Sequence, residues 1–244
     1  MRILGFSTGA LAYGDFRRAL DILKAKRIRA VELSALREHE LAPLVDSLDS
    51  LDLSAFEYVS VHCPSSFDKV RESDVIDLLM KIAPRKWPVV VHPNTVYTPS
   101  KWNKLSGLML LENMDKRSSE GRTAAEMAIL FERLPYAGLC FDVGHCRQVD
   151  STMNEAYAIL THFQPRLRQV HLSEVNSKSK HDPLSGAAIR AVEQISHLIP
   201  EEIPIILESV VSEDEVETEI SRAKQALSPV SSNRKVETFY ISVG

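Results

Sequence analysis

What this 244-residue chain lacks narrows its class before any motif is read. No apolar run approaches the roughly 20 residues that a helix needs to span a bilayer, so no membrane association is expected. The three cysteines, Cys63, Cys140 and Cys146, are an odd set without paired zinc spacing. A disulfide framework is therefore not expected, and a reduced, cytoplasmic environment is the simplest reading. Excess positive charge is missing too. At a formal net charge of −4, no global basic field recommends nucleic acid or an anionic membrane as a partner. The segment after the first apolar run, GFSTGALAYG, fits neither the dinucleotide nor the phosphate-loop pattern, which lowers an open nucleotide-binding sheet. The opening MRILGFSTGAL reads as a first strand rather than a secretion or transit signal.

What the chain has is repetition. Eight short apolar runs recur, and six break off at a histidine or carboxylate. They are YVSVHCP (His62), PVVVHPN (His92), LMLLEN (Glu112), LCFDVGH (Asp142, His145), RQVHLSE (His171) and PIILES (Glu208). Between the runs lie segments with helical spacing, such as Phe16, Leu20 and Leu23, or Val216, Ile220 and Ala223. The stretch around Trp102 and Leu105 is poorer and predicts a short or irregular helix. The acids Glu213, Asp214 and Glu215 suit the start of the last helix.

Strands alternating with helices indicate βαβ units and a parallel sheet. Eight units in this length predict an α/β fold, a (β/α)8 TIM barrel forming a single domain over residues 1–227. Residues 228–244 (SPVSSNRKVETFYISVG) break the repeat and are expected to form a tail against the barrel or a partner. The apolar part of each run is expected to fill the barrel layers.

Active sites of such barrels sit at the carboxyl ends of the strands. Glu112, Asp142, His171 and Glu208 would come from strands five to eight and could enclose one cation with N/O ligands. That donor set suits Zn, Mn, Mg, Fe or Co, and ligand type does not choose among them. His62 and His92 would enter from strands three and four. Asp142–Val143–Gly144–His145 reads as two ligand types across a glycine-relaxed turn. A single histidine ending a strand is more often a hydrogen-bonded structural residue than a ligand. Taken together, acids and histidines ending consecutive strands point to a metal or catalytic cluster, because buried ionisable groups cost stability unless paired. His39, His162 and His197 fall in helical segments and are assigned no role.

The ordered set Glu112 in LLEN, Asp142 and His145 in FDVGH, His171 in VHLSE and Glu208 in ILES resembles the xylose isomerase-like barrels. That superfamily includes sugar isomerases and epimerases and endonuclease IV, and the resemblance covers the chain up to the tail. It implies that Glu112, Asp142, His171 and Glu208 bind one divalent metal. It also implies that Glu112 and Glu208 act as acid and base on opposite faces of a sugar, with His145 touching the substrate. The endonuclease IV pattern adds His62, His92, His145 and an Asp-x-His pair to hold three zinc ions. Here that pair reads Ser179–Lys180–His181–Asp182: His181 is present, Ser179 stands where the aspartate is expected, and Asp182 is displaced. One or two ions are implied more directly than three.

Three functions follow. The first is a metal-dependent sugar or sugar-phosphate isomerase or epimerase, with Lys116, Arg117, Arg147, Lys178 and Lys180 available to a phosphate or simply solvated. The second is an endonuclease IV-like zinc phosphodiesterase acting on abasic DNA, with Arg37, Ser65, Ser66 and Phe67 probing the duplex. The third is a barrel that binds a metal or metabolite without turnover. Oligomeric state is left open.

Overall fold

The apolar runs pair in parallel, one beside the next, until the last closes on the first. The computed structural model describes residues 2–228, and the tail expected beyond them lies outside the described residues. The strands are β1 (Leu4–Ser7), β2 (Ala30–Ser34), β3 (Tyr58–His62), β4 (Val89–Val91), β5 (Met109–Glu112), β6 (Gly138–Asp142) and β7 (Leu167–Leu172). After a small ladder, β8 (Glu174–Val175) with β9 (His181–Asp182), comes β10 (Ile205–Leu207). The barrel order is β1-β10-β7-β6-β5-β4-β3-β2, a closed ring of eight parallel strands.

Helices cover the outside. In chain order they are α1 (Thr8–Ala12), α2 (Phe16–Ala25), α3 (Glu38–Ser47), α4 (Glu72–Met80) and α5 (Pro99–Trp102). The second half adds α6 (Ala124–Arg133), α7 (Val143–Val149), α8 (Asn154–Phe163), α9 (Gly186–Ile195) and α10 (Val216–Ala226). Among the described residues no helix is long and apolar enough to cross a membrane. The irregular stretch around Trp102 is a short α5 followed by a 3-10 turn. It is pinned by the buried Glu72, which accepts hydrogen bonds from Thr98 N and Trp102 Nε1. Ser212 and Glu215 form a capping box just before α10, using the acids seen there in the sequence.

The expectation that apolar side chains fill the barrel is corrected. Alternation along each strand sends Phe6, Val31, Leu33, Val59, Val61, Leu111, Phe141 and Val170 into the main core, which lies between strands and helices. The intervening positions point into the barrel. Only Val90, Leu110 and Cys140 form a separate apolar cluster there, and the barrel also holds Glu32, Ser60, Gln169 and His171, which bond to one another. The barrel interior is therefore mixed, with polar side chains beside apolar ones, rather than filled by apolar residues alone. Cys63 and Cys146 are free and packed in the main core.

Candidate metal centre

Glu112, the last residue of β5, is almost wholly buried and gathers four imidazoles. Its Oε2 lies 3.1 Å from His62 Nε2 and 2.9 Å from His92 Nε2. Its Oε1 lies 2.9 Å from His171 Nδ1 and 3.6 Å from His145 Nδ1. Glu208, one residue past β10, brings Oε2 to 3.5 Å from the same His171 Nδ1. It also approaches His181 Nδ1 at 3.4 Å. The structure thus brings all eight sequence-predicted site residues to one end of the barrel.

Asp142 ends β6 and caps α7, its Oδ1 accepting from His145 N at 2.6 Å. The expected glycine-relaxed turn is instead the first turn of a helix. Gly144 serves packing rather than backbone freedom: a Cβ there would lie 2.6 Å from Val175 Cγ2 and 2.8 Å from Ser173 O. His145 is placed by that helix and by Nδ1, which donates to Asn113 O at 3.0 Å. His62 Nδ1 donates to Cys63 O at 2.7 Å, which leaves Nε2 as its ligand atom.

The polar segment after β7 carries a small ladder of its own. The β8–β9 ladder folds it back and sets His181 beside Ser173 Oγ at 2.8 Å. Ser179, at the position where the resemblance places an aspartate, sits at a φ of 56° and bonds Gln148. Asp182 turns away to accept from Asn176. Among the described residues, His181 joins no group of three ligand-type side chains.

Burial and neighbouring charge drive the ionisable groups apart. Burial opposes the charge of Glu112, yet His171 and His92 outweigh it and hold the carboxyl well below its usual range. Glu208 goes the other way: burial, reinforced by Glu112 and Asp142 against the opposing His171, pushes it up to about 8. Burial likewise opposes the imidazolium of His62, but its hydrogen bond and charge interaction with Glu112 raise it to about 9. Burial opposes the charge of His171, but its neighbours Cys140, Glu208, Glu32 and Glu112 raise it well above its ordinary value. His145 is raised as well, by Asp142 and Glu112 against burial. His181 is lowered to about 4, and His92 is lowered too, in both cases chiefly by burial.

The residues fit a divalent cation on three counts. Ligand atoms of Glu112, Asp142, His171 and Glu208 all lie within 4.8 Å of one another. Among the described residues no lysine or arginine pairs with any of these three carboxylates; only imidazoles do. Buried like charges without such a partner are costly. Finally, Asp142 Oδ2 is buried without a hydrogen-bond partner. Ligand atoms of a second set, His62, His92 and Glu112, are gathered just as closely.

A cavity of about 1090 Å3 opens over the cluster. Of the basic residues considered for a phosphate, Arg117 and Lys180 line it, whereas Lys116, Arg147 and Lys178 do not. Arg117 is tied to the buried Asp115 and Arg147 to Glu174. Of the residues considered for a duplex, Arg37 and Ser65 line the cavity and Ser66 does not. Phe67 is packed in the core, so that expectation is corrected.

Sequence reasoning missed Glu32, Gln169 and Asn113. Glu32 belongs to a third close group with His62, His171 and Glu208. Its signal was present in AVELS, where one acid interrupts a fully buried strand at an inward position.

Fold and site together define a (β/α)8 barrel carrying a buried acid–imidazole cluster at its mouth. Endonuclease IV from Thermus thermophilus is 19% identical, with a TM-score of 0.63 over 93% of this chain and 99% of that one. The 3-keto-D-glucoside 4-epimerase from E. coli is 12% identical, with a TM-score of 0.61 over 93% of this chain and 99% of the other. A zinc-bound IolI protein is 9% identical, with a TM-score of 0.63 over 93% and 98% of the two chains. By fold, the chain is therefore a barrel of the kind shared by endonuclease IV, xylose isomerase-like proteins and sugar phosphate isomerase/epimerases. No protein-family model matches the sequence, and no curated protein does.

Proposed function

We propose that the protein is a divalent-metal-dependent isomerase or epimerase acting on a sugar or sugar phosphate. The observation that carries this is the convergence of Glu112 and Glu208 on one nitrogen, His171 Nδ1, at 2.9 and 3.5 Å. Glu112, Asp142, His171 and Glu208 would hold the cation, which when bound polarises a carbonyl or hydroxyl of the substrate. The two glutamates are suited to moving a proton because both are carboxylates that line the cavity where a substrate would sit. Without a cation, Glu112 is kept ionised by its imidazoles, while burial raises Glu208 to about 8. One takes the proton from the carbon beside the carbonyl, and the other returns a proton to that carbon or its neighbour. His145, on the cavity wall, would touch the substrate, and Arg117 and Lys180 would meet a phosphate. Substituting Glu208→Gln should lower metal-supported ketose–aldose or epimer exchange about 10²–10⁴-fold with the fold intact. Unchanged turnover on a substrate panel would remove Glu208 from this role.

A second reading has its own support. His62 and His92 both meet Glu112 Oε2, and these three residues would hold a second cation able to activate water, as a zinc phosphodiesterase on abasic DNA would need. An abasic duplex remaining intact at every zinc loading would discard it.

A further inference from the structure

His171 Nε2 points away from the carboxylates at the mouth and into the barrel, where two groups of opposite character face it. Glu32 Oε2, which only accepts, lies at 3.1 Å. Gln169 Nε2, which only donates, lies at 2.7 Å. The amide is oriented by Tyr58, whose hydroxyl donates to Gln169 Oε1 at 2.6 Å. Glu32 is wholly buried, and its Oε2 also accepts from Ser60 Oγ at 3.0 Å and Gln169 Nε2 at 2.6 Å. Its Oε1 has no hydrogen-bond partner, and among the described residues no lysine or arginine pairs with it. A buried carboxylate is an expensive way to pack a barrel when an apolar residue would serve.

We propose that Glu32 is a positioning residue of the metal centre: it accepts the hydrogen on His171 Nε2 and so makes Nδ1 the nitrogen presented to the cation. The inference rests on the cation site described above, not on the reaction assigned to it. A neutral imidazole carries one hydrogen, so a cation on Nδ1 requires that hydrogen on Nε2. Only an acceptor beyond Nε2 favours that form, and Glu32 supplies it, as carboxylates behind ligating histidines do. Gln169 favours the opposite form, with Nε2 accepting and Nδ1 keeping its hydrogen toward Glu112. The two side chains compete at a single nitrogen, and a bound cation sides with Glu32.

Zinc affinity of the full chain, measured by chelator competition, tests this together with ¹⁵N spectra of the histidine rings. In the zinc-loaded wild type, His171 should carry its hydrogen on Nε2. Glu32→Ala and the shorter Glu32→Asp should each lose about 10–100-fold in zinc affinity. Glu32→Gln, whose amide oxygen still accepts, should recover most of that loss. Gln169→Leu should not weaken zinc binding even where it lowers thermal stability, a separation that a merely structural role would not produce. If Glu32→Ala does not fold, the Asp and Gln variants carry the comparison. Zinc affinities within about threefold of wild type for both Asp and Ala, or a hydrogen found on Nδ1, would overturn the proposal. A wild type that binds no zinc would remove the metal centre itself, a failure distinct from zinc bound indifferently to Glu32.

Discussion

Asn113 and Asp142 exchange two hydrogen bonds of 2.8 Å, side-chain amide to backbone, across the ends of β5 and β6. The amide imitates one more step of the strand ladder, beyond the register pair Glu112 and Cys140. It holds the Asp142 backbone while the carboxylate is left for the cap and the proposed cation. Asn113→Ala should leave both backbone groups buried without partners, at about 1–3 kcal/mol each. Urea unfolding should register that loss, and zinc affinity should fall with it. A variant as stable as wild type would show the pair to be dispensable.

Gly144 lets α7 lie against the β8 segment. Gly144→Ala would drive a methyl group into Val175 and the Ser173 carbonyl, and displacing α7 would carry His145 with it. An overpacked contact of this kind costs about 1–3 kcal/mol. Differential scanning should show the destabilisation despite alanine's better helix propensity. A gain in stability would contradict the close approach.

Loading the site should stabilise the fold. At a metal concentration a hundred times Kd the gain is about 2.7 kcal/mol, or roughly 5–10 °C in Tm for a chain of this size. Chelator should reverse it, and Glu112→Gln should abolish most of it. His92→Ala should spare the first equivalent and remove only a second, since His92 belongs to the set with His62 rather than to the four-ligand set. Loss of all metal in His92→Ala would dissolve the distinction between the two sets.

The chelated protein should become less stable as pH rises from about 6.5 to 9. Glu208 and His62 have folded values of about 8 and about 9, above their ordinary 4.5 and 6.5. The folded chain then retains protons that the unfolded chain has released, so their contribution is lost as pH climbs through the folded values. His181, lowered to about 4, acts oppositely, but between about 4 and 6.5 and hence below this window. Urea midpoints at pH 6.5 and 8.5 in excess chelator decide the matter. A midpoint that rose with pH would refute this assignment of charges.

Much of the site was legible because a parallel barrel imposes a simple grammar. An apolar run that ends in Glu112, Asp142 or His171 can only place that group at the strand's carboxyl end. The legible part stopped at chain direction. Glu32 escaped notice because it lies within its strand, between two apolar neighbours that face the helices. Phe67 was misread for the converse reason: a loop position says nothing about whether an aromatic ring turns inward.

Residue order alone was enough for eight parallel strands and for acids and imidazoles at their ends, because periodicity and strand termini are local properties of a chain. Which nitrogen meets which oxygen was settled by barrel closure. Pairing β10 with both β1 and β7 carries Glu208 to His171 and leaves Glu32 beneath the same ring. Those distances depend on stagger and curvature summed around the whole ring, and no single segment contains that information.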